Sequence, residues 1–239
     1  MKDLLKEKIG EGAIRHIAFI MDGNGRWATA QGKSRNEGHK KGAKVFEEIV
    51  DYCHSLGIGH VTVYAFSTEN WKRPKEEVDA LMRLLSSYLD TAIKRFAERQ
   101  VRVVFLGDKS PFPKRLVRKM EKLEKDSAAY TDILNIAFNY GGRDEIVHAC
   151  KEALARGEEI TEEVISSHLY TSASPDPDLI VRTAGEMRLS NFLLWQAAYS
   201  EFYYTHTLWP DMSPDEVDRA IIDFLRRKRN FGGLVTDGK

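Results

Sequence analysis

The segment 22–26, Asp-Gly-Asn-Gly-Arg, combines an acid, two glycines and an arginine, and this combination suits a phosphate site. Glycines let the backbone turn sharply and bring N–H groups close to a bulky anion. Arg26 adds a fork of donors whose geometry matches phosphate. Asp22 beside them suggests a divalent metal that is bound to the phosphate. A plain Asx-Gly turn is the alternative, because turn chemistry alone favours the same residues.

Further polar clusters follow other predicted strands, at residues 67–73, 139–143 and 182–190. In a parallel sheet the carboxyl ends of the strands share one edge, which is where ligands bind. Five arginines in or near these clusters would suit more than one phosphate group, although a single surface arginine is usually only solvated. They are Arg26, Arg35, Arg73, Arg182 and Arg188. His39 stands one helical turn from Arg35 and could face the same anion.

Composition excludes several classes of function. The chain of 239 residues carries 36 basic and 36 acidic side chains, so no basic surplus points to nucleic acid. The P-loop pattern and a G-x-G-x-x-G after a strand are both missing, which disfavours an ATPase or a dinucleotide-binding protein. Cys53 and Cys150 fit neither a metal spacing nor a disulfide framework. Because the sequence shows neither a signal-peptide pattern nor a membrane-spanning apolar run, we expect a cytoplasmic protein.

Strand and helix patterns alternate along the chain, which predicts an α/β fold with a mostly parallel central sheet flanked by helices. We expect one domain over residues 1–239, with 1–13 as a mobile N-terminal segment. The first strand, 17–21, is continuously apolar, as a strand covered on both faces would be. The predicted strands are 17–21, 60–66, 101–106, 133–138, 179–182 and 202–205. The predicted helices are 37–56, 75–100, 113–125, 144–156, 162–169, 191–198 and 214–228.

The helix predicted over 75–100 carries an apolar stripe with helical spacing and is long enough to form one wall of an apolar channel. The strands 61–66 and 133–138 would supply the rest of the wall. Ala65 is small and would leave the mouth of this channel open, whereas Leu134 and Phe138 are bulkier and could set its floor.

Long matching segments connect this sequence with a known family. They are residues 16–28 (HIAFIMDGNGRWA), 38–43 (GHKKGA), 64–74 (YAFSTENWKRP), 139–146 (NYGGRDEI), 182–212 and 231–233 (FGG). In these segments, which follow the family's order, the chain resembles the cis-prenyltransferases, typified by undecaprenyl diphosphate synthase. The resemblance implies a homodimer with a hydrophobic tunnel in each subunit. It also implies Mg²⁺-dependent condensation of isopentenyl diphosphate with an allylic prenyl diphosphate, farnesyl or geranylgeranyl, with cis double bonds.

The resemblance also implies roles for individual residues. The allylic diphosphate would be held by Gly23, Asn24, Gly25, Arg26, Arg35 and His39. Isopentenyl diphosphate would be held by Arg182, Arg188 and Ser190, with Leu189 beside them. The reacting centre would be lined by Trp27, Ser67, Asn70, Trp71 and Arg73, and Thr68 and Glu69 would also bind substrate. Asp22 and Glu201 would serve Mg²⁺, and Asp22 and Asn70 would be catalytic, with Asn70 the family's proposed proton acceptor.

Alternatives of a different class stay open at this point. Ala184, Met187 and Asn230 stand where the family usually has other residues, and all three concern the isopentenyl side. The chain could therefore be a non-catalytic partner subunit, or could act on a different prenyl acceptor. The complete set of polar residues named above favours an active enzyme. The small side chain of Ala65 leads us to expect a medium-to-long polyprenyl diphosphate as its product. We expect no nucleic-acid partner and at most a peripheral membrane contact for product release.

Overall fold

A parallel sheet forms the centre of the molecule. The computed structural model describes residues 2–227, apart from the side chains of 91–95 and 97. Its strands are β1 (His16–Ile20), β2 (His60–Ser67), β3 (Val101–Leu106), β4 (Asp132–Tyr140), β5 (Leu179–Arg182) and β6 (Glu201–Tyr204). The strand order is β3-β4-β2-β1-β5-β6, and all pairs are parallel. The predicted α/β fold is confirmed. Asn230 and 231–233 lie outside the described residues.

Helices cover both faces of this sheet. They are α1 (Lys2–Gly10), α2 (Asn24–Ala30), α3 (Arg35–Ser55), α4 (Lys75–Arg99), α5 (Lys114–Ser127), α6 (Gly142–Ala155), α7 (Glu162–His168) and α8 (Pro214–Leu225). Successive residues of β1 alternate between the faces, so Ile17 and Phe19 join one apolar cluster while Ala18 and Ile20 join another. The larger cluster includes residues of α1, α3, α4, α5 and α8.

Residues 2–10, within the N-terminal segment 1–13, form α1, and Leu5 and Ile9 of this helix are buried in the larger core cluster. Two segments differ from the sequence-based expectation. The glycine-rich segment after β1 was expected to turn, and it starts helix α2 instead. The helix expected over 191–198 is absent except for a 3₁₀ turn at Gln196–Tyr199, because Asn191 and Leu193 have positive φ angles.

Strand pairing becomes irregular where the polar clusters begin. Tyr64 of β2 pairs with Ala137, but Phe66 pairs with Phe138, so Ala65 is an extra residue in β2. Such bulges re-aim side chains and are common beside binding sites.

A buried polar network closes the opposite, amino-terminal end of the sheet. His16 is 1% exposed. One ring nitrogen, Nδ1, lies 2.6 Å from the carbonyl oxygen of Pro175, and Nε2 lies 2.7 Å from Oγ1 of Thr62. The amide of Asn135 donates to the same Thr62 oxygen at 3.0 Å. A neutral imidazole, donating from Nδ1 and accepting at Nε2, satisfies this network.

Within residues 2–227, no helix combines the length and the apolar composition needed to cross a membrane.

Candidate active site

Asp22 lies just past the carboxyl end of β1, at the edge where the polar clusters were expected to meet. Its Oδ1 accepts the N–H of Gly23 at 2.7 Å, and its Oδ2 lies 3.2 Å from Nη2 of Arg182. Arg26 Nη2 is 3.6 Å from Oδ1. The backbone N–H of Asp22 donates to Oγ1 of Thr183 at 2.9 Å, which fixes this strand end beside β5. The Asp22 side chain is still 35% exposed and can meet a ligand.

Glycines allow the segment after Asp22 to lie close to its neighbours. Gly23 precedes α2 with a φ of 105°, a conformation that strains other residues. A Cβ on Gly38 of α3 would stand 2.0 Å from the carbonyl oxygen of Asn24, so α2 and α3 could not approach as they do. Gly25 lies inside α2 and does not form a turn. Its missing side chain leaves room for the guanidinium of Arg35, 2.9 Å from the position of a Cβ.

Two arginines and a histidine converge on one carboxylate, that of Glu77 in the first turn of α4. Nε and Nη2 of Arg35 lie 3.1 and 3.4 Å from its two oxygens. Nη1 of Arg73 donates to Oε1 at 3.1 Å, and Nε2 of His39 lies 3.5 Å from the same oxygen. Sequence reasoning missed Glu77, although it follows Arg73 by four residues, the spacing of a helical ion pair. The carboxylate fixes where the two guanidinium groups lie.

Protonation states at this cluster follow from burial and charge. Burial raises the pKa of Glu77, but Arg35, Arg73 and His39 hold it below its ordinary value. Burial is the main reason why the pKa of His39 lies below its ordinary value. The carboxylate of Glu77 raises this pKa, whereas Arg73 and Arg35 lower it further. At neutral pH Glu77 is therefore ionised and His39 is neutral, so the arginines supply the positive charge.

Arg182, the last residue of β5, connects Asp22 with the loop that follows. It is 3% exposed. Its Nη1 donates to the carbonyl oxygen of Arg188 and, at 2.8 Å, to Oγ of Ser190. Its buried Nε has no hydrogen-bond partner within residues 2–227. A buried N–H that lacks an acceptor is costly, so this donor is available for an anionic ligand in the cavity.

Arg188 and Arg26 share a carboxylate that sequence reasoning also missed. Nη1 of Arg188 lies 2.5 Å from Oε2 of Glu186, and Nη1 of Arg26 lies 3.4 Å from Oε1 of the same residue. Arg26 also donates to the carbonyl oxygen of Ala184 at 3.0 Å. The side chain of Arg188 is 61% exposed and stands outside the cavity rather than in its wall.

Asn70 lies in the 3₁₀ helix Thr68–Lys72 that follows β2, and Ser67 is the N-cap of this helix. Oδ1 of Asn70 accepts the N–H of Ser67 at 3.2 Å, while Oγ of Ser67 receives the backbone N–H of Asn70. The amide oxygen is thus already engaged with the backbone, and the amide NH₂ is the group left for a ligand. Trp71 turns away, donating to Oδ1 of Asn139 at 2.7 Å and packing 5.7 Å from Phe112.

One polar cavity of about 340 Å³ unites most of the predicted residues. The predicted residues that line it are Asp22, Gly23, Asn24, Gly25, Arg26, Arg35, His39, Asn70, Arg73, Arg182 and Ser190. Those outside its lining are Trp27, Ser67, Thr68, Glu69, Trp71, Arg188, Leu189 and Glu201. Trp27 instead donates to Oδ1 of Asp211 at 2.7 Å. Tyr64, which was not predicted, lines the cavity, and its hydroxyl lies 3.2 Å from the carbonyl oxygen of Tyr140 and 3.3 Å from that of Ser190.

Glu201 lies at the other end of the sheet from Asp22. It pairs in register with Leu179, the first residue of β5, whereas Asp22 lies beyond the last residues of the strands. Five residues of rise put the two levels roughly 16 Å apart along the strands. Its carboxylate is 2.7 Å from Nη1 of Arg227. Within one chain, Glu201 and Asp22 therefore do not share an ion.

An apolar cavity adjoins the polar one beneath the sheet edge. It is enclosed by α3, α4 and the strands β2 and β4, as the channel prediction required. The two cavities share Met21, Asn24, His39, Ala65 and Leu81. Phe138 and Ile136 line it, but Leu134, expected at its floor, does not. The two cavities are therefore neighbours, and their polar and apolar walls follow the order of an anionic head and an apolar tail.

The side chains in the polar cavity also fit a divalent cation that binds together with a phosphate group. Within residues 2–227, no group of three or more His, Cys, Asp and Glu side chains could hold an ion by itself. Asp22 offers one partly exposed carboxylate among arginines that would bind phosphate. Mg²⁺ commonly binds through one or two carboxylates together with substrate phosphates. The donors present thus fit an ion that arrives with its diphosphate.

Comparison with known proteins gives a consistent result. A family model described as putative undecaprenyl diphosphate synthase matches residues 20–232. The chain is 52% identical to an isoprenyl transferase of Aquifex pyrophilus, covering 93% of this chain and 97% of that protein. An isoprenyl transferase of Fusobacterium nucleatum is 49% identical, covering 92% and 96%.

Solved structures agree with the sequence relatives. Lavandulyl diphosphate synthase from Lavandula x intermedia, solved with dimethylallyl diphosphate, is 35% identical with a TM-score of 0.88, covering 93% of this chain and 100% of that one. A probable undecaprenyl diphosphate synthase from Campylobacter jejuni is also 35% identical, with a TM-score of 0.79, covering 92% and 99%. The family model and these relatives, together with the two cavities, show that the chain belongs to the undecaprenyl diphosphate synthase family of cis-prenyltransferases.

Proposed function

We propose that this protein condenses isopentenyl diphosphate with an allylic prenyl diphosphate, farnesyl or geranylgeranyl, in the two joined cavities, and that it requires Mg²⁺. The observation that carries the proposal is that the arginine-lined cavity adjoins the apolar one and shares lining residues such as Ala65 and Leu81 with it. A prenyl diphosphate has the same division into an anionic head and an apolar chain. Its head would lie among the arginines and its chain along α4.

The allylic diphosphate occupies the part of the cavity between α2 and α3. Arg26 and Arg35 supply donors there, and the first N–H groups of α2 lack acceptors within the helix. His39, neutral at neutral pH, adds a hydrogen-bonding group without charge. When the allylic C–O bond breaks, negative charge grows on the diphosphate, and these fixed donors stabilise it. Mg²⁺, which Asp22 would hold together with the diphosphate, would supply further neutralisation of that charge.

Isopentenyl diphosphate binds on the side of Arg182 and Ser190. The free Nε of Arg182 and the hydroxyl of Ser190 point to an anion subsite beside Asp22. Arg188 lies just outside this part of the cavity, where it pairs with Glu186. Its side chain would move into the cavity by leaving Glu186 and binding a phosphate instead. Condensation breaks the allylic C–O bond, forms one C–C bond and releases one proton. Because an amide is a poor base and the oxygen of Asn70 also accepts a backbone N–H, we assign the proton to a diphosphate oxygen.

A homodimer is part of the proposal. The strand β6 lies at the edge of the sheet, and each of its residues is only partly buried. The rings of Phe202 and Tyr204 stack 6.0 Å apart, and Tyr199 nearby is 66% exposed. A second copy would cover this aromatic edge. Analytical ultracentrifugation of the protein and of Tyr199→Asp tests it, with a shift toward monomer expected in the variant.

A direct assay decides between an enzyme and a silent subunit. The purified protein is incubated with Mg²⁺, farnesyl or geranylgeranyl diphosphate and labelled isopentenyl diphosphate, and products are separated by thin-layer chromatography. A series of polyprenyl products that disappears in Asp22→Asn supports the proposal. A folded protein that makes none would favour the partner-subunit alternative. A location in the cytoplasm stays a prediction.

A further inference from the structure

The loop 183–195, which follows β5 and carries Ser190, has an unusual backbone. Within residues 2–227, six residues other than glycine have positive φ angles, and four of them lie in this loop. They are Ala184, Ser190, Asn191 and Leu193, with φ angles of 73°, 50°, 65° and 43°. Such conformations persist only where neighbouring contacts hold them, and they are common at functional sites. The contacts that hold this loop therefore decide where Ser190 lies.

Asn191 attaches the loop to the start of α6. Its Oδ1 accepts the N–H of Arg143 at 3.0 Å, and its carbonyl oxygen accepts the N–H of Gly142 at 2.7 Å. The first N–H groups of a helix have no acceptor within it, and the N-cap residue of α6, Gly141, has no side chain to supply one. A Cβ on Gly141 would also stand 2.6 Å from Nδ2 of Asn191. Asn191 thus caps α6 from a distant part of the chain.

The amide NH₂ of Asn191 makes a second attachment. Nδ2 donates to Oε1 of Glu69 at 3.0 Å. Glu69 belongs to the 3₁₀ helix Thr68–Lys72, which also carries Asn70. Burial raises the pKa of Glu69, but hydrogen bonds from its own backbone and from Asn191 hold it below its ordinary value. Glu69 is therefore an ionised and strong acceptor at neutral pH, and one side chain ties the loop 183–195 to two other elements.

This tie acts on the cavity through neighbouring residues. Neither Asn191 nor Glu69 lines the polar cavity. Ser190 and Asn70, which adjoin them in the chain, both line it. Oγ of Ser190 receives Nη1 of Arg182 at 2.8 Å, so a displacement of Asn191 would move this hydroxyl away from its partner.

We propose that Asn191 is a positioning residue for the condensation, because its side chain fixes the loop that carries Ser190 relative to the helix that carries Asn70. The isopentenyl subsite is thereby held at a constant distance from the reacting centre. The proposal rests on the proposed function. Asn191 itself contacts neither substrate.

The first variants separate the two attachments of Asn191. In Asn191→Asp the carboxylate can still cap α6, where a negative charge is favourable, but it faces Glu69 instead of donating to it. We expect the KM for isopentenyl diphosphate to rise roughly tenfold or more, with the allylic KM and the melting temperature nearly unchanged. Asn191→Gly tolerates the positive φ but lacks both side-chain bonds, so it should show the same rise in KM together with a lower melting temperature. A normal KM in Asn191→Gly would overturn the proposal, because the defect of Asn191→Asp would then come from its charge alone.

A rescue experiment tests the bond to Glu69 directly. In Asn191→Asp/Glu69→Gln the donor and the acceptor are exchanged, so the hydrogen bond can form again. Asn191→Asp should therefore raise the KM for isopentenyl diphosphate much less in the Glu69→Gln background than alone. Gln100→Glu makes the same change from amide to carboxylate at an exposed position and should keep all constants. Equal effects of Asn191→Asp in the two backgrounds would refute the tie.

Amide hydrogen exchange of the substrate-free protein distinguishes a failure of this inference from a failure of the proposed function. Asn191→Asp should speed exchange over residues 67–73 but not at Arg143, whereas Asn191→Gly should speed it at both places. A protein that makes no product but shows this pattern would refute the proposed function and leave the tie standing. Unchanged exchange in both variants would overturn the tie, whatever the activity.

Discussion

Glu77 and Arg35 face each other in a two-point contact, with Nε 3.1 Å from Oε2 and Nη2 3.4 Å from Oε1. The same carboxylate also holds Arg73. A diphosphate would use the same fork geometry of Arg35. Glu77 therefore prepares the guanidinium groups for an anion before substrate is present, and it reduces their mutual repulsion.

Replacing Glu77 should damage catalysis more than folding. In Glu77→Ala, Arg35 and Arg73 lose the group that orients them, and we expect kcat/KM to fall roughly tenfold or more, since small misplacements of binding groups are costly. Glu77→Gln keeps one acceptor and should lose less. Glu76→Ala, an exposed neighbour, is the matched control. Steady-state kinetics and thermal melts measure both effects, and unchanged kinetics in Glu77→Ala would refute the orienting role.

Asp22→Ala should reduce turnover at least about a hundredfold, because it removes an electrostatic element at the reacting centre. Its side chain is partly exposed at a strand end, so the variant should stay folded, with a lower melting temperature because the buried Arg182 loses its carboxylate partner. Asp22→Asn should behave alike, since it lacks the charge. The exposed Asp126→Asn serves as control. A folded Asp22→Ala protein with most of its activity would show that the metal assignment is wrong.

The two diphosphate subsites should respond to different arginines. Arg188→Ala should raise the KM for isopentenyl diphosphate and leave the allylic KM nearly unchanged, because Arg188 stands beside Ser190. Arg35→Ala should do the opposite, because Arg35 lies against α2. Arg182 contacts both Asp22 and Ser190, so Arg182→Ala should affect both substrates. Initial rates with each substrate varied in turn give these constants, and parallel changes in the first two variants would remove the two-subsite assignment.

The sequence predicts those parts of the fold that depend on repeating apolar patterns. β3 has the predicted bounds, and α4 ends within a residue of them, because hydrophobic periodicity and flanking breakers decide such elements locally. α2 was missed because its glycines favour turns, and packing of Asn24 against Gly38 decides the outcome. The segment 191–198 is apolar enough for a helix, but its contact with α6 through Gly142 imposes another conformation.

The sequence predicts those parts of the site that lie directly after the strands, because the ends of the strands can be located from their apolar patterns. Asp22, Asn70 and Arg182 were expected to converge because parallel strands share an edge, and the cavity unites them. Glu77 and Tyr64 were missed because their roles depend on partners distant in sequence, Arg35 and Ser190. Trp71 was placed at the centre by resemblance, yet its contacts with Asn139 and Phe112 keep it outside.

Acid should destabilise the fold through His16. Burial lowers its pKa to about 4, whereas in the unfolded chain it titrates near its ordinary value. As pH falls, the unfolded state binds the proton first, so the free energy of unfolding decreases. This residue contributes a loss of about 2 kcal/mol between about pH 7.5 and pH 5.

Urea unfolding across this pH range tests the role of His16. Burial also lowers the pKa values of His39, His54 and His60, so these residues contribute to the acid sensitivity in the same direction. The test therefore compares how steeply the free energy of unfolding changes with pH in each variant. His16→Gln should be less stable at neutral pH but should lose less stability on acidification. His206→Gln, at an exposed position, should keep the original slope. An unchanged slope in His16→Gln would assign the acid sensitivity elsewhere.

Product length should depend on Ala65, where the polar and apolar cavities join. Ala65 is the extra residue of the β2 bulge and lines both spaces, so any added volume there meets the growing chain. Ala65→Leu should shorten the products, because a branched side chain occupies space that the tail needs. Ala155→Leu adds the same volume at an exposed position on α6 and should leave the distribution unchanged. Thin-layer chromatography of the products measures chain length. An active Ala65→Leu enzyme with the original distribution would show that the tail leaves the polar cavity by another route.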